Sequence, residues 1–201
     1  MKRSIIENRK LQLFTKRFFP AGNYTWKVPP GCREVDVFLV GGGGGSGYNG
    51  NAAGAGGGYT KTYKKDAIGW KDGDAISVTP GQAISIIVGA GGNIGTNGGY
   101  SQFLNTGYRA NGGYTNNKGW DKSGNGMGYV GGNGGSGGGC DEGAGATGAG
   151  GSDGGNGAVY QYGAYNKGEG QGHTTRDFGE PTGKRNAGGG AGARGTNNIG
   201  G

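Results

Sequence analysis

The sequence predicts a mainly β fold with little or no α-helix, in which packed glycine helices stand in for part of a hydrophobic core. Three observations carry this. Three stretches between residues 24 and 88 show strand patterning. Glycine supplies 57 of the 201 residues, against roughly 7% in an ordinary protein. No window places apolar residues at the helical period.

The elements follow in chain order. The chain divides into a basic N-terminal arm over 1–18 and a glycine-rich domain over 19–201, strand-rich to 103 and glycine-rich with aromatic loops from 104; in the arm Lys2, Arg3, Arg9, Lys10, Lys16 and Arg17 are set against Glu7 alone. Basic arms serve nucleic acid or membrane surfaces, or are simply solvated or partner-docking leaders. This arm lacks the interleaved aromatics of a nucleic-acid stacking platform, so docking is expected. Its apolar residues Leu11, Leu13, Phe14, Phe18 and Phe19 are the candidate docking surface. Pro20 disfavours helical geometry at the residue before it and ends any helix there.

Residues 24–28 alternate aromatic and β-branched side chains, a half-buried strand, and Pro29-Pro30-Gly31 closes it with a turn. Residues 35–40 begin alternating and become continuously apolar, a buried strand. Residues 75–78 and 83–88, joined by Thr79-Pro80-Gly81-Gln82, read as a hairpin. Pro80-Gly81 suits a type II turn, because glycine accepts the positive φ at its third position.

All but two of the glycines lie beyond Val40. Collagen is excluded, since it needs strict period three and abundant proline, and only five prolines occur. A flexible linker is the reading that glycine-serine composition usually earns. The alternative rests on polyproline II geometry, with three residues per turn and no internal hydrogen bonds. Where glycine removes the side chain, such helices can approach and pair backbone N–H with C=O between neighbours. That satisfies buried backbone groups without a side-chain core. Gly145, Gly148, Gly151, Gly154 and Gly157 keep this period and are the predicted scaffold glycines. Gly131, Gly134 and Gly137 run beside Gly132, Gly135 and Gly138, giving two bare registers and a third that can carry Asn133 or Ser136.

Catalytic and metal chemistry find little support. Residues 41–45 follow a strand but lack the Gly-Lys-Ser/Thr and helix start of a phosphate loop. Asp141, Glu142 and Asp153 have no calcium-loop spacing. One histidine, His173, stands without a nucleophile elbow. Cys32 and Cys140 are 108 positions apart and read as reduced, inert thiols. No run of 18 apolar residues and no secretory h-region are present. No enzyme activity, cofactor, metal, nucleic acid or membrane insertion is expected.

Two islands interrupt the glycine. Residues 100–129 carry Tyr100, Tyr108, Arg109, Tyr114, Trp120, Lys122 and Tyr129, and residues 158–186 carry Tyr160, Tyr162, Tyr165, His173, Arg176, Phe178, Lys184 and Arg185. Tyr, Trp, Asn and Gly are also the residues of recognition loops, where aromatics give contact area at low entropic cost. Covering lattice edges is the alternative use. The candidate recognition residues are Arg109, Tyr114, Trp120, Tyr162 and Tyr165.

Residues 19–31, the passage from 35–40 into 41–45, the stretch 73–92 with its Asp-Ala-Ile-Ser-Val-Thr-Pro-Gly-Gln run, and 98–103 resemble, in order, the glycine-rich domain of phage tail-fibre proteins and adhesins. The resemblance implies a small antiparallel β-sandwich with polyglycine II helices inserted between strands. It implies a virion protein that acts in host attachment, with other fibre proteins and a bacterial surface glycan or outer protein as partners. Fibres are commonly trimers, so a homotrimer is expected. A structural virion joint without host contact, and a cellular adhesin or matrix module, are the alternatives. Members of the family close with an apolar strand, which residues 196–201 lack. Residues 158–162 are the candidate stand-in.

Overall fold

The computed structural model describes residues 14–45, 55–65 and 72–115, and the backbone of four short strands beyond them. No helix occurs among the described residues. Chain order gives β1 Gly22–Lys27, β2 Glu34–Val35, β3 Val37–Val40, β4 Thr60–Tyr63, β5 Ile76–Ser77, β6 Ala83–Val88, β7 Ser101–Phe103 and β8 Arg109–Ala110. The four outlying strands are β9 Asn117–Lys118, β10 Tyr129–Val130, β11 Val159–Gln161 and β12 Ala164–Asn166.

One layer is a four-stranded antiparallel sheet in the order β1-β6-β7-β8. The antiparallel pairs β2–β5 and β3–β4 make the other. Alternation in β1 turns Tyr24 and Trp26 toward the core and leaves Asn23, Thr25 and Lys27 exposed. In β6, Ile84 and Ile86 face inward and Ala83 and Ser85 outward. Val28, Leu39, Ile76, Val78, Ile84, Ile86, Phe103 and Ala110 form the buried core, with Trp26 tilted against Phe103 at 6.3 Å between ring centres. Burial of each large side chain contributes about 1.5–3 kcal/mol. Seven such side chains and Ala110 make a small core among the described residues.

The expected hairpin does not form. β6 pairs with β1, from Gly22↔Val88 to Lys27↔Ala83, and β5 pairs with β2 through Val35↔Ile76. The Pro-Gly turn therefore carries the chain from one layer to the other. Pro29-Pro30-Gly31 does the same for β1 and β2. Gly31 and Gly81 both have positive φ, at 82° and 83°. Each turn is closed by its own hydrogen bond, Cys32 N to Pro29 O at 3.2 Å and Gln82 N to Thr79 O at 3.0 Å. The arches are stitched together by Val28 N donating to Gln82 O and Gly81 N to Val28 O, both 2.9 Å. Two stacked arches satisfy the backbone where a hairpin would have kept both strands in one layer.

The strand expected over 35–40 is broken at Asp36. Its carboxylate leaves the ladder to accept from Lys65 N at 2.8 Å and Lys64 Nζ at 3.3 Å. The chain changes partner there, from β5 to β4. Of the candidate closing stretch 158–162, the described residues Val159–Gln161 form β11, which pairs with β12 and not with the four-stranded sheet.

Beyond the strands the two layers merge into a glycine lattice. Residues 41–45 leave β3 and are bonded to four other segments, 55–59, 89–93, 96–99 and 111–115. Partners repeat every three residues. Gly41 and Gly44 donate to Tyr59 O and Gly56 O, and Gly42 and Gly45 donate to Gly99 O and Thr96 O, all at 2.8–2.9 Å. Clearances repeat likewise. A Cβ on Gly41 or Gly44 would lie 2.0 or 2.4 Å from a carbonyl oxygen of Asn111 or Tyr114. On Gly42 or Gly45 it would lie 1.9 or 1.8 Å from Ala90 O or Asn93 O. On Gly43 the nearest atom is 3.8 Å away. Two bare registers and one open one are what the spacing at 131–138 led us to expect of a lattice. Those residues and Gly145–Gly157 lie outside the described ones. The ordered segments exclude the linker reading for 41–45.

Candidate functional site

The lattice has two ends. At the sheet end, Ser101 joins both layers. Its hydroxyl accepts from Gly89 N at 2.9 Å and donates to Val40 O at 2.6 Å, and the residue is 3% exposed. At the far end, Asn93–Thr96 form a turn closed by Thr96 N to Asn93 O at 2.9 Å, with Gly95 at φ 72°. The turn holds up Ile94, 74% exposed. Next to it Thr115 is fixed twice, its N–H donating to Asn97 Oδ1 at 2.9 Å and its hydroxyl to Gly45 O at 2.7 Å. Tyr114, 46% exposed, stands edge-on to Tyr59 at 6.3 Å between ring centres. Ile94 thus stands out at the far turn, and the exposed Tyr114, its ring turned back on Tyr59, rises from the same support of backbone hydrogen bonds.

Sequence reasoning selected Tyr114 and missed Asn93, Ile94 and Asn97. The signal was the short island Asn-Ile-Gly-Thr-Asn between glycine pairs. Arg109 sits in β8, five residues before Tyr114 and roughly 15 Å back along an extended chain. It is not brought to the lattice end. Its guanidinium carbon lies 3.4 Å from the centre of the Tyr100 ring. Tyr165 belongs to β12. Trp120 and Tyr162 lie outside the described residues. Tyr108 is structural, edge-on to Tyr63 at 5.1 Å and packed on the core.

Of the docking residues, Phe14 and Phe19 are 73% and 80% exposed. Phe18 is half-buried against the core, 5.6 Å from Tyr24 between ring centres. Leu11 and Leu13 lie outside the described residues.

The electrostatics are those of a scaffold. Lys61 pairs with Asp72, Lys64 with Asp36 at 3.3 Å and Lys65 with Glu34 at 2.9 Å. Asp72 also accepts from Thr62 N at 2.8 Å, which fastens residues 72–73 beside β4. Burial pushes the Tyr59 hydroxyl above its usual 10.0, and neighbouring Tyr114 adds to this. Burial raises Tyr63 likewise, with Lys61 opposing and Asp72 and Tyr108 reinforcing. Cys32 is a half-buried free thiol. Among the described residues no group of three His, Cys, Asp or Glu side chains is placed to hold a metal. The N–H groups of Gly41, Gly42, Gly44 and Gly45 are already bonded to carbonyls, so the loop after β3 offers no phosphate cradle. No helix is long and apolar enough to cross a membrane among the described residues.

No curated protein and no solved structure matches the chain. The family model described as glycine-rich domain matches residues 19–201. That span takes in both layers, the arches and the lattice, and the chain belongs to the glycine-rich domain family.

Proposed function

We propose that this chain is a phage virion protein, a tail-fibre or fibre-tip component that attaches to the bacterial surface through the far end of its glycine lattice. The observation that supports it is the exposure of Ile94 and Tyr114 on a backbone-bonded support rather than on a core. The lattice segments act as polyglycine II helices, rigid rods that free their connections to vary. Trp120, Tyr162 and Tyr165 are assigned to the same recognition role, and the ligand is a surface glycan or outer protein that is bound without cleavage. No pair of carboxylates at glycosidase spacing is identifiable in the sequence. An adsorption assay with Tyr114→Ala, Ile94→Ala, Trp120→Ala and Tyr162→Ala variants tests this. Attachment should fall at least about tenfold in the combined variant. Full attachment with folding intact would favour a structural joint instead.

The exposed Phe14 and Phe19 support docking of the arm on other fibre proteins or on copies of this chain, with a homotrimer expected. Multi-angle light scattering of the isolated chain should give a mass three times the monomer's 20.0 kDa. A stable folded monomer would remove self-association.

A further inference from the structure

The outward face of the four-stranded sheet is a second surface, separate from the lattice end. Registers align Asn23 with Ile87, Ile87 with Gln102, and Gln102 with Arg109. The neighbours of each face the core: Tyr24, Ile86, Ser101 and Phe103, and Ala110. One row of side chains therefore crosses all four strands on the outside. Strand spacing makes it about 14 Å long. Thr25, Ser85 and Lys27 extend it on the same face. Tyr100, 37% exposed, closes one end by stacking on Arg109.

Its charge is one-sided. The four strands contain no Asp or Glu. The described carboxylates, Glu34, Asp36, Asp72 and Asp74, all belong to the other layer. Arg109 has no ion-pair partner among the described residues, and its Nε is buried without a hydrogen bond. The Tyr100 ring thus lies against the guanidinium, and none of the described carboxylates pairs with it. A planar fork in that state matches a carboxylate bidentately.

We infer that this face binds an acidic saccharide chain bearing carboxylate groups. Arg109 takes a carboxylate, Tyr100 gives a stacking edge, and Asn23, Gln102, Thr25 and Ser85 pair with hydroxyls. Nucleic acid fits less well, since the row has one aromatic and two cations where strand binding uses stacked rings and many phosphate contacts. A protein partner fits less well too, since Ile87 alone is too little for the apolar centre of a stable interface. The inference stands on the sheet itself and holds whether or not the chain attaches a virion.

The test is equilibrium binding of a fluorescent galacturonate oligosaccharide to the purified full chain, with a neutral glucan oligomer of the same length for comparison. The galacturonate oligomer should bind about tenfold more tightly. Tyr100→Ala, which keeps the charge, and Arg109→Lys, which keeps the charge but not the fork, should each weaken it at least about fivefold. Gln102→Glu adds a carboxylate to this half-buried row and should abolish binding with the fold intact. Lys16→Gln with Arg17→Gln should change it less than twofold. Equal binding of the neutral oligomer overturns the inference. So does loss of binding in the Lys16/Arg17 variant together with retention in Tyr100→Ala and Gln102→Glu, which would mean diffuse attraction to net charge. A DNA oligonucleotide binding more tightly than the galacturonate, with the same variant pattern, would also overturn it.

Discussion

Gly42 and Gly43 are neighbours in sequence and opposites in environment. Neither has positive φ, so what matters is space. A Cβ on Gly42 would be driven to 1.9 Å from Ala90 O, while on Gly43 it would meet nothing closer than 3.8 Å. Gly42→Ala should destabilise the protein by about 3 kcal/mol or more, in the range of severe overpacking. Gly43→Ala should be neutral or stabilise by up to about 1 kcal/mol, by narrowing the unfolded ensemble. Urea midpoints of the two variants measure the contrast, and equal midpoints would remove the lattice from our account. Ser101 is the polar counterpart. Ser101→Ala would leave the Gly89 N–H and the Val40 C=O buried without a partner, at a cost of about 2 kcal/mol. Denaturation of that variant against Ser101→Thr, which keeps the hydroxyl, reads this out. Nothing in Tyr100-Ser101-Gln102 marked the serine in advance, because its partners lie 12 and 61 positions away.

At the scale of elements, the strands were legible and their partners were not. Alternation in residues 24–28 and 83–88 reported one buried face, which is a property of the strand alone. The choice between hairpin and arch is not local. Thr79-Pro80-Gly81-Gln82 accommodates either, and the decision falls to Val28, whose N–H and C=O both bond to the turn. Asp36 was similarly opaque, since the lysines that draw it out of the ladder lie 28 and 29 positions on. The turn chemistry itself was readable, because positive φ at Gly31 and Gly81 is a local demand. Gly81→Ala should cost about 1 kcal/mol through strain alone, since open space surrounds the position. A loss much larger than that in a thermal melt would mean the arch had lost its pairing with Val28 as well. The residues assigned to recognition in our proposal divide the same way. Tyr114 stands in an aromatic island that composition marks, while the exposure of Ile94 depends on where the lattice stops.

At the scale of the molecule, a core with eight buried members among the described residues and a backbone lattice share the burden of stability. The tyrosines at their junction make that sensitive to alkali. Tyr59 and Tyr63 have hydroxyl pKa values raised above 10.0 in the folded state. Between the unfolded and folded values the native state holds more protons, so stability falls as pH rises. It should be fully present below pH 10 and decline above it. Tyr59→Phe with Tyr63→Phe should flatten the decline, as urea midpoints at pH 9 and 11 would show. An unchanged slope would place the alkaline loss elsewhere.

The three-residue repeat of donors around residues 41–45 also sets a unit of growth. A chain that gained three residues in each outgoing and returning segment would keep every donor turned to the same neighbour. Its far turn would move outward by about 9 Å, with the two strand layers untouched. One or two added residues would rotate the bare registers away from the carbonyls they must clear. Reach in such a molecule changes by whole increments, as a telescope lengthens by its tubes.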